Sequence, residues 1–303
     1  MRTPISYVPA VAALLLFPCL VAVAQETGQG NKPRKCILVF GAHADDVEEM
    51  AGGMFARYIA EGYQGVYVGA LNNFSGNRID KVPGNWDFDR RVSTGALTGS
   101  KNMYSVGALE TMQIRNEEAR RAAAVFGADA VFLDFREPEI WLGRKAVPYG
   151  TKEFQDYNPP GREFVNLGTR YHRDVALVVE LLRKYQPEIV ITHTLGGEKV
   201  DHGGCAYIMY LAFKEAMARR IPVGKLWMVV NGWLADPDAQ ANGRGVPDLQ
   251  IDVQKHLKTK FAALDKHVSQ NGGHGQQYVR VREIQPKEVI EEFITVIDNE
   301  ASH

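Results

Sequence analysis

From Lys35 onward, short β-branched apolar runs alternate with longer stretches whose apolar residues recur every three or four positions, the order of a βαβ architecture. Cys36–Phe40 (CILVF) reads as a buried strand and residues 47–61 as a helix closed by Gly62, followed by a strand over 65–71. A helix over 115–126 ends at Gly127 and precedes a strand over 130–135. Residues 171–185 form a helix with Val175, Leu177, Val178, Leu181 and Leu182 on its apolar side, and Pro187 stops it before a fourth strand over 188–193. A helix over about 204–219, a strand over 226–230 and a last helix over about 253–268 complete the alternation. The pattern predicts a single α/β domain over 35–303: a doubly wound, Rossmann-like, mostly parallel sheet with helices on both faces and no internal repeat.

Two segments interrupt this rhythm. Residues 72–112 and 137–167 are long, carry little periodicity and are rich in Gly, Asn, Pro and aromatics, so they read as loop insertions of the functional kind. Trp86, Phe88, Tyr104 and Trp141 within them are candidates for stacking on a ligand and equally for local packing.

The first residues follow other rules. Arg2 precedes a mostly apolar run from Val8 to Val23, interrupted by Pro9 and Pro18, and Ala22-Val23-Ala24 has the small-x-small form of a cleavage site. Residues 1–24 therefore read as a signal peptide and 25–34 as a linker, with export to the periplasm or the extracellular space and no membrane span after cleavage. An oxidising compartment would allow Cys36 and Cys205 to pair. One opens the first strand and the other follows a loop at the opposite end of the sheet, roughly 17 Å away along a five-residue strand. That exceeds the roughly 7 Å Cα limit for a disulfide, so two free, buried thiols are expected. A formal net charge of −1 provides no basic field for nucleic acid or an anionic surface, so a partner of another kind is expected. Oligomeric state is left open.

The chemistry concentrates at strand ends. Phe40-Gly41-Ala42-His43-Ala44-Asp45-Asp46-Val47-Glu48-Glu49 places a histidine and adjacent carboxylates where the first strand hands over to its helix, the position at which open parallel sheets bind ligands. A dinucleotide site would carry a Gly-rich turn there, whereas these carboxylates repel an anion and suit a cation. The mixed nitrogen and oxygen donors point to zinc or a similar transition metal rather than calcium. A catalytic zinc needs about three protein ligands and an open position, so His43 and Asp46 require a partner. The loop after the fourth strand, Ile191-Thr192-His193-Thr194-Leu195-Gly196-Gly197-Glu198-Lys199-Val200-Asp201-His202, offers His193 and His202, and in the common doubly wound order that strand neighbours the first. His43, Asp46 and His202 can then converge. An isolated Asp-Asp pair would read as helix caps and a lone His as a hydrogen-bonded structural group; their coincidence at two adjacent strand ends favours the metal. H-E-x-x-H, C-x-x-C, G-x-S-x-G and G-x-x-x-x-G-K-[ST] are all missing from the sequence, which removes zincin, thiol-redox, α/β-hydrolase and P-loop chemistry.

Ala42-His43-Ala44-Asp45-Asp46-Val47-Glu48 followed by Gly52-Gly53 resembles the AHPDD(V)E…GG signature of the PIG-L/LmbE-like family of zinc-dependent N-acetylglucosaminyl deacetylases. Lys199-Val200-Asp201-His202 falls where that family has HPDH, Arg115-Asn116-Glu117-Glu118 resembles its R-x-x-E helix start, and Lys260–Leu264 with His267-Val268-Ser269-Gln270 resembles its C-terminal K-x-x-A-L…H-x-S-Q segment. The resemblance implies that His43, Asp46 and His202 bind zinc, that Asp45 is the general base, that Asp201 orients its neighbours and that Arg115 holds substrate oxygens. It also implies an N-acylated amino sugar or glycoconjugate as substrate. The sequence departs from the family pattern in places. Ala44 replaces a proline, and Lys199 replaces the first histidine of HPDH, so the role of oxyanion stabiliser or acid falls to Lys199 or His193. In Phe135-Arg136-Glu137-Pro138, where the family has an Asp-Gly for sugar hydroxyls, Glu137 keeps the carboxylate. These departures leave two alternatives: a catalytically silent metal-containing glycan-binding module, and an amidase acting on a different amide.

Overall fold

The computed structural model describes residues 35–73, 86–87, 92–93, 108–137, 140–142, 145–147, 151–152, 171–195, 200–230, 246–267, 269 and 289–299. The expected signal segment and linker, Lys199, and the side chains of Trp86, Phe88, Tyr104 and Trp141 lie outside that description.

In chain order the elements are β1 (Cys36–Gly41), α1 (Asp46–Ala60), β2 (Gln64–Leu71), β3 (Trp86–Asp87), β4 (Val92–Ser93), α2 (Ala108–Phe126), β5 (Asp129–Phe135), β6 (Ile140–Leu142), β7 (Lys145–Val147), α3 (Tyr171–Tyr185), β8 (Ile189–Thr192), α4 (Val200–Ala218), β9 (Lys225–Val229), β10 (Leu249–Asp252), α5 (Leu257–Leu264) and β11 (Ile290–Asp298). A seven-stranded sheet runs β10-β11-β9-β8-β1-β2-β5, in which the five strands from β9 to β5 are mutually parallel. The strand order reverses at β1, which pairs with β2 on one side and β8 on the other, so the sheet has the switch point that the alternation predicts. The two irregular segments contribute the small hairpins β3-β4 and β6-β7.

Strand periodicity divides the core into two layers. Leu38 and Phe40 of β1 face Val178, Val179 and Leu182 of α3 and Ile208, Met209 and Phe213 of α4. The intervening Ile37 and Val39 face Met50 and Met54 of α1, Ala119 and Ala122 of α2, and Leu257 and Phe261 of α5. β1 is buried along its whole length because both faces are covered, as a central parallel strand must be. Cys36 and Cys205 are both buried and free, in agreement with the separation argued from their positions.

Three features differ from the sequence pattern. α2 begins seven residues before the expected start and α4 four residues before it. The last helix is only Leu257–Leu264, preceded by a 3₁₀ turn over Gln254–His256, because the chain must leave the helical path before His267 turns inward. The antiparallel strands β10 and β11, which carry no clear apolar signal, extend the sheet beyond β9.

β11 also supports α1. That helix is interrupted at Ala51 (φ −148°, ψ 19°), which frees backbone N–H groups in its middle. Gly53 and Met54 donate theirs to the two carboxylate oxygens of Glu291, at 2.9 and 2.7 Å, and Lys260 adds an ion pair at 2.7 Å. Glu291 thereby caps a second helix start from outside the helix, the favourable end for a negative charge. Glycine at position 53 permits this approach, since a Cβ there would lie 2.5 Å from Cβ of Val253.

Candidate metal centre

The register of β1 against β8 sets Phe40 beside Thr192, so the first residues beyond both strands meet in one crevice. Thr192 Oγ1 donates to the Phe40 carbonyl at 3.1 Å, and the Ala42 N–H donates to Nε2 of His193 at 3.0 Å. On the other side, Leu71 at the end of β2 donates its N–H to the Ala42 carbonyl at 2.8 Å. The turn over 42–45 is thus pinned from both neighbouring strands before any metal is considered.

That turn brings His43 and Asp46 together, and α4 supplies Asp201 and His202 from its first turn. One donor atom each from His43, Asp46 and His202 lie within 4.8 Å of one another, close enough to share a single ion. The His43 N–H donates to Asp46 Oδ2 at 2.6 Å, while Oδ1 faces His202 Nε2 at 3.6 Å. Asp201 lies 3.4 Å from His43 Nε2 and accepts the His202 N–H at 2.7 Å, the position of a carboxylate that orients metal-bound imidazoles. The His193 ring stacks on His202 at a centroid distance of 4.1 Å. Its Nε2 lies 3.2 Å from Asp46 Oδ2, so His193 packs behind the three donors and is 1% exposed.

The fit to a metal can be judged on these atoms. Nε2 of His202 is buried and has no hydrogen-bond partner, a costly arrangement in an interior unless the lone pair serves a ligand. The electrostatics agree. Burial, with the proximity of His193 and His43, pushes the His202 imidazole down to about 3 despite Asp46, so it presents a neutral nitrogen. Burial alone would raise Asp46, but the surrounding imidazoles of His202, His193 and His43 hold it well below the usual carboxylate range; with His202 neutral, the protonated His43 and its backbone N–H keep the carboxylate ionised. Burial likewise opposes charge on His43, yet Asp201 and Asp46 push it up to about 10. The pocket has an excess of negative charge that His43 balances with a proton when no cation does.

Asp45 precedes these ligands in a conformation that L-residues rarely adopt, φ 113° and ψ −27°. Its carboxylate is 15% exposed, and Nη2 of Arg115 lies 3.4 Å from Oδ1 and donates to the Ala44 carbonyl at 3.2 Å. Arg115 is buried, and its guanidinium is directed at the turn. Glu137 is buried just beyond β5. Sequence reasoning did not single out Asn73 or Tyr67. Asn73 Oδ1 accepts the Ala44 N–H at 2.8 Å and its Nδ2 donates to Asn116 Oδ1 at 2.8 Å. The signal for Asn73 was its place two residues beyond the end of β2; Tyr67, inside an apolar strand, gave none.

Fold and site together define an α/β protein with a His-Asp-His centre at the carboxyl edge of a parallel sheet. The PIG-L family, GlcNAc-PI de-N-acetylase, matches residues 38–213, and the chain belongs to that family. Among solved structures it is similar to the N,N'-diacetylchitobiose deacetylase of Pyrococcus horikoshii (15% identity, TM-score 0.56, covering 89% of this chain and 86% of that one). It is similar also to the A40926 pseudoaglycone deacetylase (16%, 0.51, 88% and 98%) and to the 4-carboxy-2-hydroxymuconate hydratase of Pseudomonas putida (17%, 0.52, 88% and 97%). At these identities the likeness is one of fold, and the fold hosts more than one reaction.

Proposed function

We propose that the protein is a zinc-dependent N-deacetylase that hydrolyses the amide of an N-acetylated amino sugar or glycoconjugate. The observation that carries this reading is the convergence of His43, Asp46 and the unpartnered Nε2 of His202 beside a partly exposed carboxylate, Asp45, in a chain of the PIG-L family. His43, Asp46 and His202 would hold the ion, which supplies a Lewis acid and lowers the pKa of a water to about 7.

The remaining work falls to the chain's own side chains. Asp45 accepts the proton of the attacking water and passes it to the departing amine. Arg115 holds Asp45 in place through Oδ1 and the preceding carbonyl, and contributes positive charge beside substrate oxygens. Asp201 fixes His43 and the start of α4. Lys199 is assigned to the negative charge that develops on the amide oxygen. His193, whose Nε2 accepts the Ala42 N–H and whose ring stacks on His202, is assigned to hold the turn and His202 in place rather than to deliver a proton. Glu137 is assigned to substrate hydroxyls. The hydratase among the structural neighbours adds water to a different bond on the same fold, so the amide is the part of the reading to test.

The test is amine release from a panel of N-acetyl sugars by zinc-loaded protein and by Asp45→Asn. Wild-type turnover is expected, reduced about 10²- to 10⁴-fold in the variant with metal content unchanged. Full activity in Asp45→Asn contradicts the mechanism, and saturable sugar binding without turnover favours a binding module. We also propose that residues 1–24 direct export and are removed; N-terminal sequencing of the exported protein is expected to begin at Gln25, and an intact Met1 contradicts it.

A further inference from the structure

We propose that Tyr67, Glu48 and His267 form a positioning device for Asp45, so that the end of the chain beyond α5 is a working part of the catalytic turn. The assignment rests on Asp45 being the base of the proposed reaction.

Asp45 occupies a left-handed backbone conformation, φ 113°, that an L-residue keeps only where its surroundings impose it. Its own side chain makes no capping hydrogen bond to the helix it precedes. The restraint comes from the sheet. Its N–H donates to the Tyr67 hydroxyl at 3.4 Å, and that hydroxyl donates in turn to Glu48 Oε2 at 3.1 Å. The other oxygen, Oε1, faces Nε2 of His267 at 3.1 Å. Tyr67, Glu48 and His267 are fully buried, so each oxygen of a carboxylate inside the protein has one partner, and both partners point toward the turn or away from it along one chain of contacts. An unpaired carboxylate there would be costly, which makes His267 necessary for Glu48 and Glu48 necessary for the orientation of the Tyr67 hydroxyl. Ser269 anchors the same segment by donating its N–H and its hydroxyl to Glu118 of α2, at 2.7 and 2.6 Å. None of these three residues is a metal donor, and their effect reaches the chemistry only through Asp45.

The experiment compares zinc-loaded wild type with Tyr67→Phe, His267→Leu, His267→Gln and a control, Tyr63→Phe. The control removes a hydroxyl that donates to Glu188 at 2.6 Å, at the opposite end of the sheet. Crystal structures read the Asp45 backbone and its distance to Arg115; kinetics on an N-acetyl sugar that the wild type turns over read kcat and KM separately. Tyr67→Phe and His267→Leu are expected to shift Asp45 out of its φ 113° conformation. With one zinc still bound per chain, kcat falls about 10- to 100-fold and KM little, since small displacements of a catalytic group have effects of that size. His267→Gln, which keeps a donor to Glu48, is expected to restore most of kcat, and Tyr63→Phe to change nothing. An Asp45 conformation unchanged in Tyr67→Phe and in folded His267→Leu, or a loss in KM alone, overturns the proposal. If His267→Leu does not fold, Tyr67→Phe decides it: an Asp45 that stays in place there overturns the proposal. Should wild type turn over no N-acetyl sugar, the deacetylase reading fails, while the position of Asp45 in the crystals still decides whether the device exists.

Discussion

At the scale of single residues, the three metal donors are not equivalent. Asp46 is ionised and His202 neutral before any ion arrives, whereas His43 holds a proton because Asp201 and Asp46 outweigh its burial. With a pKa near 10, His43 must give up that proton to bind a cation at neutral pH. Protons compete with the metal below that pKa, so zinc affinity rises with pH, about tenfold per unit between about 6 and 8, and about one proton is released per zinc. Calorimetry of zinc binding in buffers of different ionisation enthalpy measures this number directly. A pH-independent affinity with no proton release would show that His43 is neutral in the free protein. The same paired imidazole and carboxylate types were readable from the motif, because each must stand in a fixed place relative to a strand end. Their supports were not, since Tyr67 and Asn73 earn their roles from hydrogen bonds across the sheet that no local spacing announces.

At the scale of elements, α1 is the part on which the site depends most. Its first turn carries Asp46 and Glu48, yet the helix is interrupted at Ala51 and resumes only because Glu291 receives the freed N–H groups of Gly53 and Met54. Glu291→Ala leaves two buried donors and Lys260 without that acceptor and is expected to cost about 1–3 kcal/mol of stability in denaturant unfolding. An unchanged midpoint would mean that the helix finds other partners. The apolar period of α1 was legible, but the break was not: it is imposed by β11, more than two hundred residues away in sequence. β11 itself was missed because Glu291 and Glu292 disrupt the alternation at its start, and the charge at 291 makes sense only once Lys260 and the helix break are beside it. The early starts of α2 and α4 have the same character. Helix period reads well where an apolar face packs against the sheet, and poorly at ends that belong to the crevice.

At the scale of the whole molecule, five parallel strands in the order β9-β8-β1-β2-β5 bring the ends of β1, β2, β5 and β8 to one edge, and the functional residues follow from that topology. The adjacency of β1 and β8 was inferable from the alternation of elements, which is why His43, Asp46 and His202 could be grouped before their positions were known. Among the described residues no helix is long and apolar enough to cross a membrane. The sheet and its two helical layers hold β1 and β8 side by side, and the crevice at their ends presents donor atoms of His43, Asp46 and His202 within 4.8 Å of one another. The measurement that tests this account most directly is the metal content of purified protein spanning residues 25–303, before and after zinc reconstitution, beside a His43→Ala, His202→Ala double variant. One zinc per wild-type chain and none in the folded double variant is the predicted result. No bound metal in reconstituted wild-type protein, or equal metal in the variant, would contradict the centre on which the proposed chemistry stands.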